Sequence, residues 1–195
     1  MLYFCASKEE EAQVREFQQR VADIDHWKNS PQTLMYFLRD CHHKLNQAEK
    51  RFRNMIQWRL DNNVDHMLET YRPPKLILKH MSCTILRPDC CDFDGDIIYT
   101  ERPGNADSVS LYQRLGKQAM VDYVTWIREE AARGAYSEAY QRHHGRRLMK
   151  ATVVVDLHGL GARHMKPGLL PVLRSVMEVG QLHYCGVAKR IFVIR

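Results

Sequence analysis

The stretch Ala151-Thr152-Val153-Val154-Val155-Asp156-Leu157-His158-Gly159 decides how the rest of the chain is read. It holds four β-branched residues in a row, and no charged residue precedes Asp156. An apolar strand without alternation is expected to be buried on both faces, as in a parallel sheet. Downstream, Leu169 to Tyr184 reads as a mainly apolar crossover helix. Arg190-Ile191-Phe192-Val193-Ile194-Arg195 reads as a second buried strand. Strand, helix, strand is a βαβ unit, so the fold class is α/β. The sheet is expected to be incomplete at the C-terminus, breaking off at Arg195 with an exposed apolar edge that favours self-association.

Upstream, Cys83-Thr84-Ile85-Leu86 and Ile97-Ile98-Tyr99-Thr100-Glu101-Arg102 are two more strand candidates, joined through the turn Asp92-Phe93-Asp94-Gly95-Asp96. A long helix follows, with Val109, Tyr112, Leu115, Met120, Tyr123, Val124 and Ile127 among its apolar positions; Gly134 and Gly145 punctuate a second helical stretch. The first 75 residues differ. Val14, Phe17, Val21 and Ile24 recur at helical spacing, predicting a helix from about Lys8 to Trp27. Asn29-Ser30-Pro31 opens the next helix, with its stripe at Leu34, Phe37, Leu38, Cys41 and Leu45. Ala48, Phe52, Met55, Ile56 and Leu60 form a third stripe, opened by Asn46, and Val64 to Tyr71 a short fourth piece before Pro73-Pro74. Two units are therefore expected: a helical lobe over residues 1–75 and an α/β domain over 76–195.

Composition narrows the function classes. Hydrophobic residues make up 45% of the chain and charged residues 27%, which is globular and not disordered. The net charge of +6 favours anionic partners such as phospholipid surfaces. The six cysteines contain no C-x-x-C pair, and the N-terminus lacks a secretory pattern, so a cytoplasmic protein with reduced thiols is expected. No run approaches the ~18 apolar residues of a membrane span, so membrane contact would be peripheral.

Three constellations could carry chemistry. Gly159-Leu160-Gly161 resembles part of a dinucleotide turn, but His164 takes the third glycine position and Arg195 ends the next strand, where an arginine suits only a 2′-phosphate. An NADP-dependent enzyme is thus an alternative, and a plain strand-to-helix turn the simpler reading. Asp156, His158 and His164 could hold iron, or Asp156 could simply satisfy nearby backbone N–H groups. The paired histidines His42-His43 and His143-His144 read as solvated helix faces. Arg146, Arg147 and Lys150 form a basic cluster that could meet anionic lipid headgroups. Nucleic acid is disfavoured because aromatic residues do not interleave with it. No cofactor and no catalytic grouping is expected.

Taken in order, the motifs resemble the CRAL-TRIO lipid-binding family, which includes phosphatidylinositol/phosphatidylcholine transfer proteins. Phe37-Leu38-Arg39 with Trp58-Arg59 is similar to the family's F-L-R … W-R helical lobe. Asp94-Gly95 with Tyr99 and Glu101 resembles its D-G-R-P-V-Y-x-E strand, and Asp156-Leu157-His158-Gly159 its D-L-x-G segment. Arg190-Ile191-Phe192-Val193-Ile194 resembles the strand after Y-P-E-R. The resemblance implies a helical N-terminal lobe packed on a mainly parallel, mixed sheet, with crossover helices and a hydrophobic pocket closed by a gate helix beyond Arg195. It implies a non-catalytic lipid carrier. Its ligand would lie against Tyr99, Arg128, Val153 and Val155, with Arg146, Arg147 and Lys150 toward the membrane. The family's headgroup positions depart here: one tyrosine falls at Arg128, a Ser/Thr pair at Ala151 and Val153, and the phosphatidylinositol-binding Lys and Glu at His42 and Gly186. A sterol or isoprenoid is then as compatible as a phospholipid. A membrane adaptor or protein-interaction module that carries no lipid is the alternative.

Overall fold

The computed structural model describes residues 7–81, 83–85, 91–94, 96–135, 150–164 and 166–195. Three helices build the N-terminal lobe: α1 (Lys8–Arg20), α2 (Pro31–Asp40) and α3 (Leu45–Asp61). α1 begins at a capping box, in which Glu10 N–H donates to Ser7 Oγ at 3.2 Å and Ser7 N–H to Glu10 Oε2 at 3.0 Å. It ends earlier than its apolar period predicts. The Asn29 side-chain amide donates to the carbonyls of Val21 and Ile24, at 2.9 and 3.0 Å, and holds the chain after Arg20 as an open turn. α2 starts as predicted, with Ser30 capping and Pro31 in the first turn. α3 starts at Leu45 without a side-chain cap, and Asn46 instead accepts from Arg20 Nη1 at 2.7 Å. His42 and His43 lie in the α2–α3 turn with φ of 50° and 62°, so they are turn residues and not a helix face.

The lobe closes around Val14, Phe17, Leu34, Phe37, Phe52 and Met55, all buried. Phe52 meets the rings of Phe17 and Phe37 edge-on, with centroids 6.0 and 5.6 Å apart. One assignment within α3 is corrected: Leu60 is 61% exposed, and its neighbour Arg59 is the buried residue at 1%. The stripe runs Ala48, Phe52, Met55, Ile56, and the helical period continues it to 59 rather than 60. Asn63 then takes φ of 49°, and a 3₁₀ turn (Val64–His66) leads into α4 (Met67–Thr70). Pro73 and Pro74 are followed by α5 (Lys75–His80), which the sequence reading passed over.

The second layer is a four-stranded sheet in the order β1-β2-β3-β4: β1 (Cys83–Ile85), β2 (Ile97–Glu101), β3 (Ala151–Asp156) and β4 (Ala188–Ile194). β1 pairs antiparallel with β2, whereas β2, β3 and β4 are parallel, so the sheet is mixed and mainly parallel. Between β2 and β3 runs α6 (Ser108–Ala135), broken at Gly116, whose φ of 78° and ψ of 174° interrupt the helix. Between β3 and β4 runs α7 (Leu170–His183), completing the βαβ unit. Ile77, Leu111, Tyr123, Val124, Ile127 and Val172 pack α5, α6 and α7 together.

β4 is not the buried strand its composition predicts. Ile191, Phe192, Val193 and Ile194 are 50–63% exposed. One edge of β4 pairs with β3, and the other pairs with no strand among the described residues. The strand also carries a bulge. Ala188 pairs with Ala151 but Arg190 with Thr152, leaving Lys189 as an extra residue.

Candidate functional site

A cavity of about 620 Å³ opens between the helical lobe and the sheet. Its size falls within the ~300–1,000 Å³ usual for small-molecule sites. Successive strand residues point to opposite faces, so alternate positions make the floor. Ile97, Ala151 and Ala188 form one row across the three parallel strands, and Tyr99, Val153 and Ile191 the next. Ile127 and Ala131 of α6, Met177 of α7, and Tyr36, Phe37 and Met55 of the lobe complete the apolar walls.

Most of the polar lining residues belong to the wall made by α6, the end of α7 and the lobe, and Glu101 of β2 adds a carboxylate from the sheet. Behind that wall, Arg59 reaches Glu129 through Nη1 and Nη2, at 2.9 and 3.1 Å. The same guanidinium reaches Asp65 Oδ1 from Nε and Nη2, at 3.0 and 2.7 Å. The Tyr184 hydroxyl donates to Glu129, and Trp27 Nε1 donates to Asp65 at 2.7 Å. Both carboxylates are thus fully engaged, which is what makes their burial tolerable. Burial opposes charge on Asp65, yet the hydrogen bonds from Arg59 and His26 prevail and hold its carboxyl down at about 2. Burial, then the neighbouring Glu129 charge, raise the Tyr184 phenol, so it stays a donor. His183 stacks on Trp58 at 3.8 Å, and burial followed by the charges of Arg59 and Arg51 push it down to about 4. Lys28 on the rim is pushed down to about 8, chiefly by burial. These contacts join α3 to α6 and to the end of α7, so the wall of the cavity is also the seam between lobe and sheet.

Three of the four sequence-derived ligand residues come together here: Tyr99, Arg128 and Val153 all line the cavity. Val155 stands in the next row up, between Glu101 and Val193, and is not part of the lining. Lys150 lies at the start of β3, where its ammonium donates to the Gly186 carbonyl and sits 4.8 Å from the Tyr36 ring centroid. Arg146 and Arg147 lie outside the described residues, as does Gly95. The residues the sequence reading missed are Gly180, Tyr184, Glu129 and the buried role of Arg59. The W-R motif marked Arg59, but nothing in the local pattern announced partners 70 positions away.

The other constellations take structural roles. Asp156 Oδ1 accepts from the His158 N–H at 2.9 Å, the simpler of the two readings weighed for it, and His164 Nδ1 turns back to the Gly161 N–H at 3.1 Å. Gly159 has φ of 76°, and its turn packs on Pro103–Asn105 so closely that a Cβ on Gly104 would collide with the His158 carbonyl. Among the described residues, Asp92, Asp94 and Asp96 are the acidic group compact enough for a metal ion. Cations of the chain already occupy it: Lys189 Nζ sits 2.7 Å from Asp94 and 2.8 Å from Asp96, and Arg190 Nη1 2.7 Å from Asp94. The group is a clasp between the β2 approach and β4. No described helix is long and apolar enough to cross a membrane.

Comparison with known proteins places this architecture. No family model matches the chain. It is 26% identical over 189 residues to "Protein real-time" of Aedes aegypti, covering 95% of this chain and 28% of that protein. It is 28% identical over 166 residues to a CRAL-TRIO domain-containing protein of Caenorhabditis elegans, covering 83% of this chain and 22% of the relative. It is 23% identical to a phosphatidylinositol/phosphatidylcholine transfer protein of Arabidopsis thaliana, covering 83% and 29%. The chain therefore spans less than a third of the length of these curated relatives. The crystal structure of Sfh5 superposes with a TM-score of 0.73 at 10% identity, covering 96% of this chain and 70% of that one, which shows a shared fold. The ordered motifs, the mixed sheet under a helical lobe and these relatives agree, and the chain resembles a divergent CRAL-TRIO protein.

Proposed function

We propose that the chain binds one hydrophobic lipid in the cavity between lobe and sheet, for intracellular transfer or presentation at membranes. One observation carries the reading: alternate apolar residues of three parallel strands floor a space of about 620 Å³, while most of its polar residues come from α6, the end of α7 and the lobe. Such a site suits a ligand with a long apolar body and one polar end. The similarity to a phosphatidylinositol/phosphatidylcholine transfer protein of Arabidopsis supports the same class of ligand. The proposed setting is the cytoplasm, with peripheral contact to anionic membranes through Arg146 and Arg147, since Lys150 is turned onto the Gly186 carbonyl.

Native mass spectrometry of the purified chain after incubation with mixed-lipid vesicles tests this. One retained lipid per chain is expected, and Val153→Trp, which fills the floor, is expected to lower occupancy about tenfold with the circular-dichroism spectrum unchanged. A chain that docks on vesicles yet never retains lipid would be an adaptor, and that outcome overturns the reading.

A further inference from the structure

We propose that Arg128 makes the cavity selective for lipids ending in a compact group of net negative charge, a phosphomonoester or a carboxylate, over lipids of neutral or zwitterionic headgroup. The inference rests on the lipid-binding reading and adds the chemistry of the polar end.

The guanidinium of Arg128 lies on the cavity wall, and its Nη1 is buried with no hydrogen-bond partner among the described residues. A buried, unpaired N–H of a cation is costly unless something accepts from it. The neighbouring carboxylates are already committed. Glu129 holds Arg59 and Tyr184, Asp65 holds Arg59 and Trp27, and Asp40 holds Arg51. Glu101 of β2 also lines the cavity, but it makes no ion pair with Arg128, whose guanidinium therefore keeps an unneutralised positive charge on the wall.

Its seat is built. Gly180 of α7 leaves the space the guanidinium occupies: a Cβ there would stand 2.8 Å from Nη2 and 3.3 Å from Cζ. The Tyr184 ring lies 5.7 Å from Cζ, close enough for a cation–π contact. Tyr184 is itself held by Glu129, so the network behind the wall orients the face on which Arg128 rests. A planar fork held in this way offers paired donors to an anionic oxygen group, which is the geometry arginine matches best.

The test uses the full chain and vesicles containing phosphatidic acid and phosphatidylcholine of identical acyl chains in equal amounts. Native mass spectrometry reads the ratio of the two lipids retained. At least about a tenfold excess of phosphatidic acid is expected for the unaltered chain, from the strength of a charge-assisted hydrogen bond. Arg128→Gln is expected to abolish the excess while keeping total occupancy, and Arg128→Lys to restore part of it. Gly180→Ala, which pushes the guanidinium from its seat without removing its charge, is expected to lower the excess several-fold. Parallel incubations with oleate and with inorganic phosphate separate the sources. Retention of oleate identifies the carboxylate as sufficient, and displacement of lipid by phosphate alone overturns the proposal, because the apolar body would then be irrelevant. An unchanged ratio in Arg128→Gln also overturns it while leaving the lipid-binding reading intact. A chain that retains no lipid at all overturns both.

Discussion

The apolar residues of the helical lobe and those of the outer strand of the sheet reach opposite ends. Phe17, Phe37 and Phe52 are sealed in the lobe, whereas Phe192 of β4 stands half exposed among three other exposed aliphatic residues. A helix in a three-helix lobe finds its cover within a few dozen residues of itself, so its own period tells which side is buried. A strand needs a layer above and a layer below, each supplied by other segments, and its composition announces only that cover is wanted. The contrast separates two kinds of apolar residue: those that hold the fold and those that wait on what lies across from them.

Matched truncations would sharpen the contrast most. Phe52→Ala is expected to cost about 4 kcal/mol, read from the urea midpoint at constant slope, because it opens a space between two edge-on rings. The seam can be broken next. Arg59→Ala leaves Glu129 and Asp65 buried without their cation and is expected to cost about 3 kcal/mol; a loss below about 1 kcal/mol would mean the network is no tie between lobe and sheet. A third effect is pH-dependent. His183 has its folded value pushed from 6.5 down to about 4, so the unfolded chain binds the proton first as pH falls. Stability from this group is present above about pH 6.5 and is lost as pH falls toward 4, on the order of 3 kcal/mol in all. His183→Phe, which preserves stacking on Trp58, is expected to flatten that part of the stability–pH curve. Smallest is Phe192→Ala, expected within about 0.5 kcal/mol, as for an exposed position. A cost near that of Phe52→Ala would erase the distinction between the two regions.

What the sequence could reveal follows the same division. The capped start of α2, the β-rich run of β3 and the βαβ order are local signals, and each is found where its residues placed it. The boundary of α1 was misread because its stop is written in Asn29, eight residues beyond Val21, and not in the apolar period. Arg59 was passed over as a core position because a charged residue in a buried stripe is legible only when its partners are known, and Glu129 lies on another helix. The floor of the cavity was half legible. Tyr99 and Val153 were named and stand side by side in one row, but Ile191 joins them only through the bulge in β4, which pairing reveals and composition does not.

That bulge sets which side of β4 belongs to the ligand. With Lys189 as the extra residue, Arg190 stands opposite Thr152 and shares its clasp with Asp92, while Ile191 comes round beside Val153. Were Lys189 instead drawn into the ladder opposite Thr152, the alternation would slip by a single step: Arg190 would sit opposite Val153, over the cavity, and Ile191 opposite Val154, on the other face. Lys189 thus works as a phase marker, a single position that keeps the oily and the charged halves of the strand from trading places.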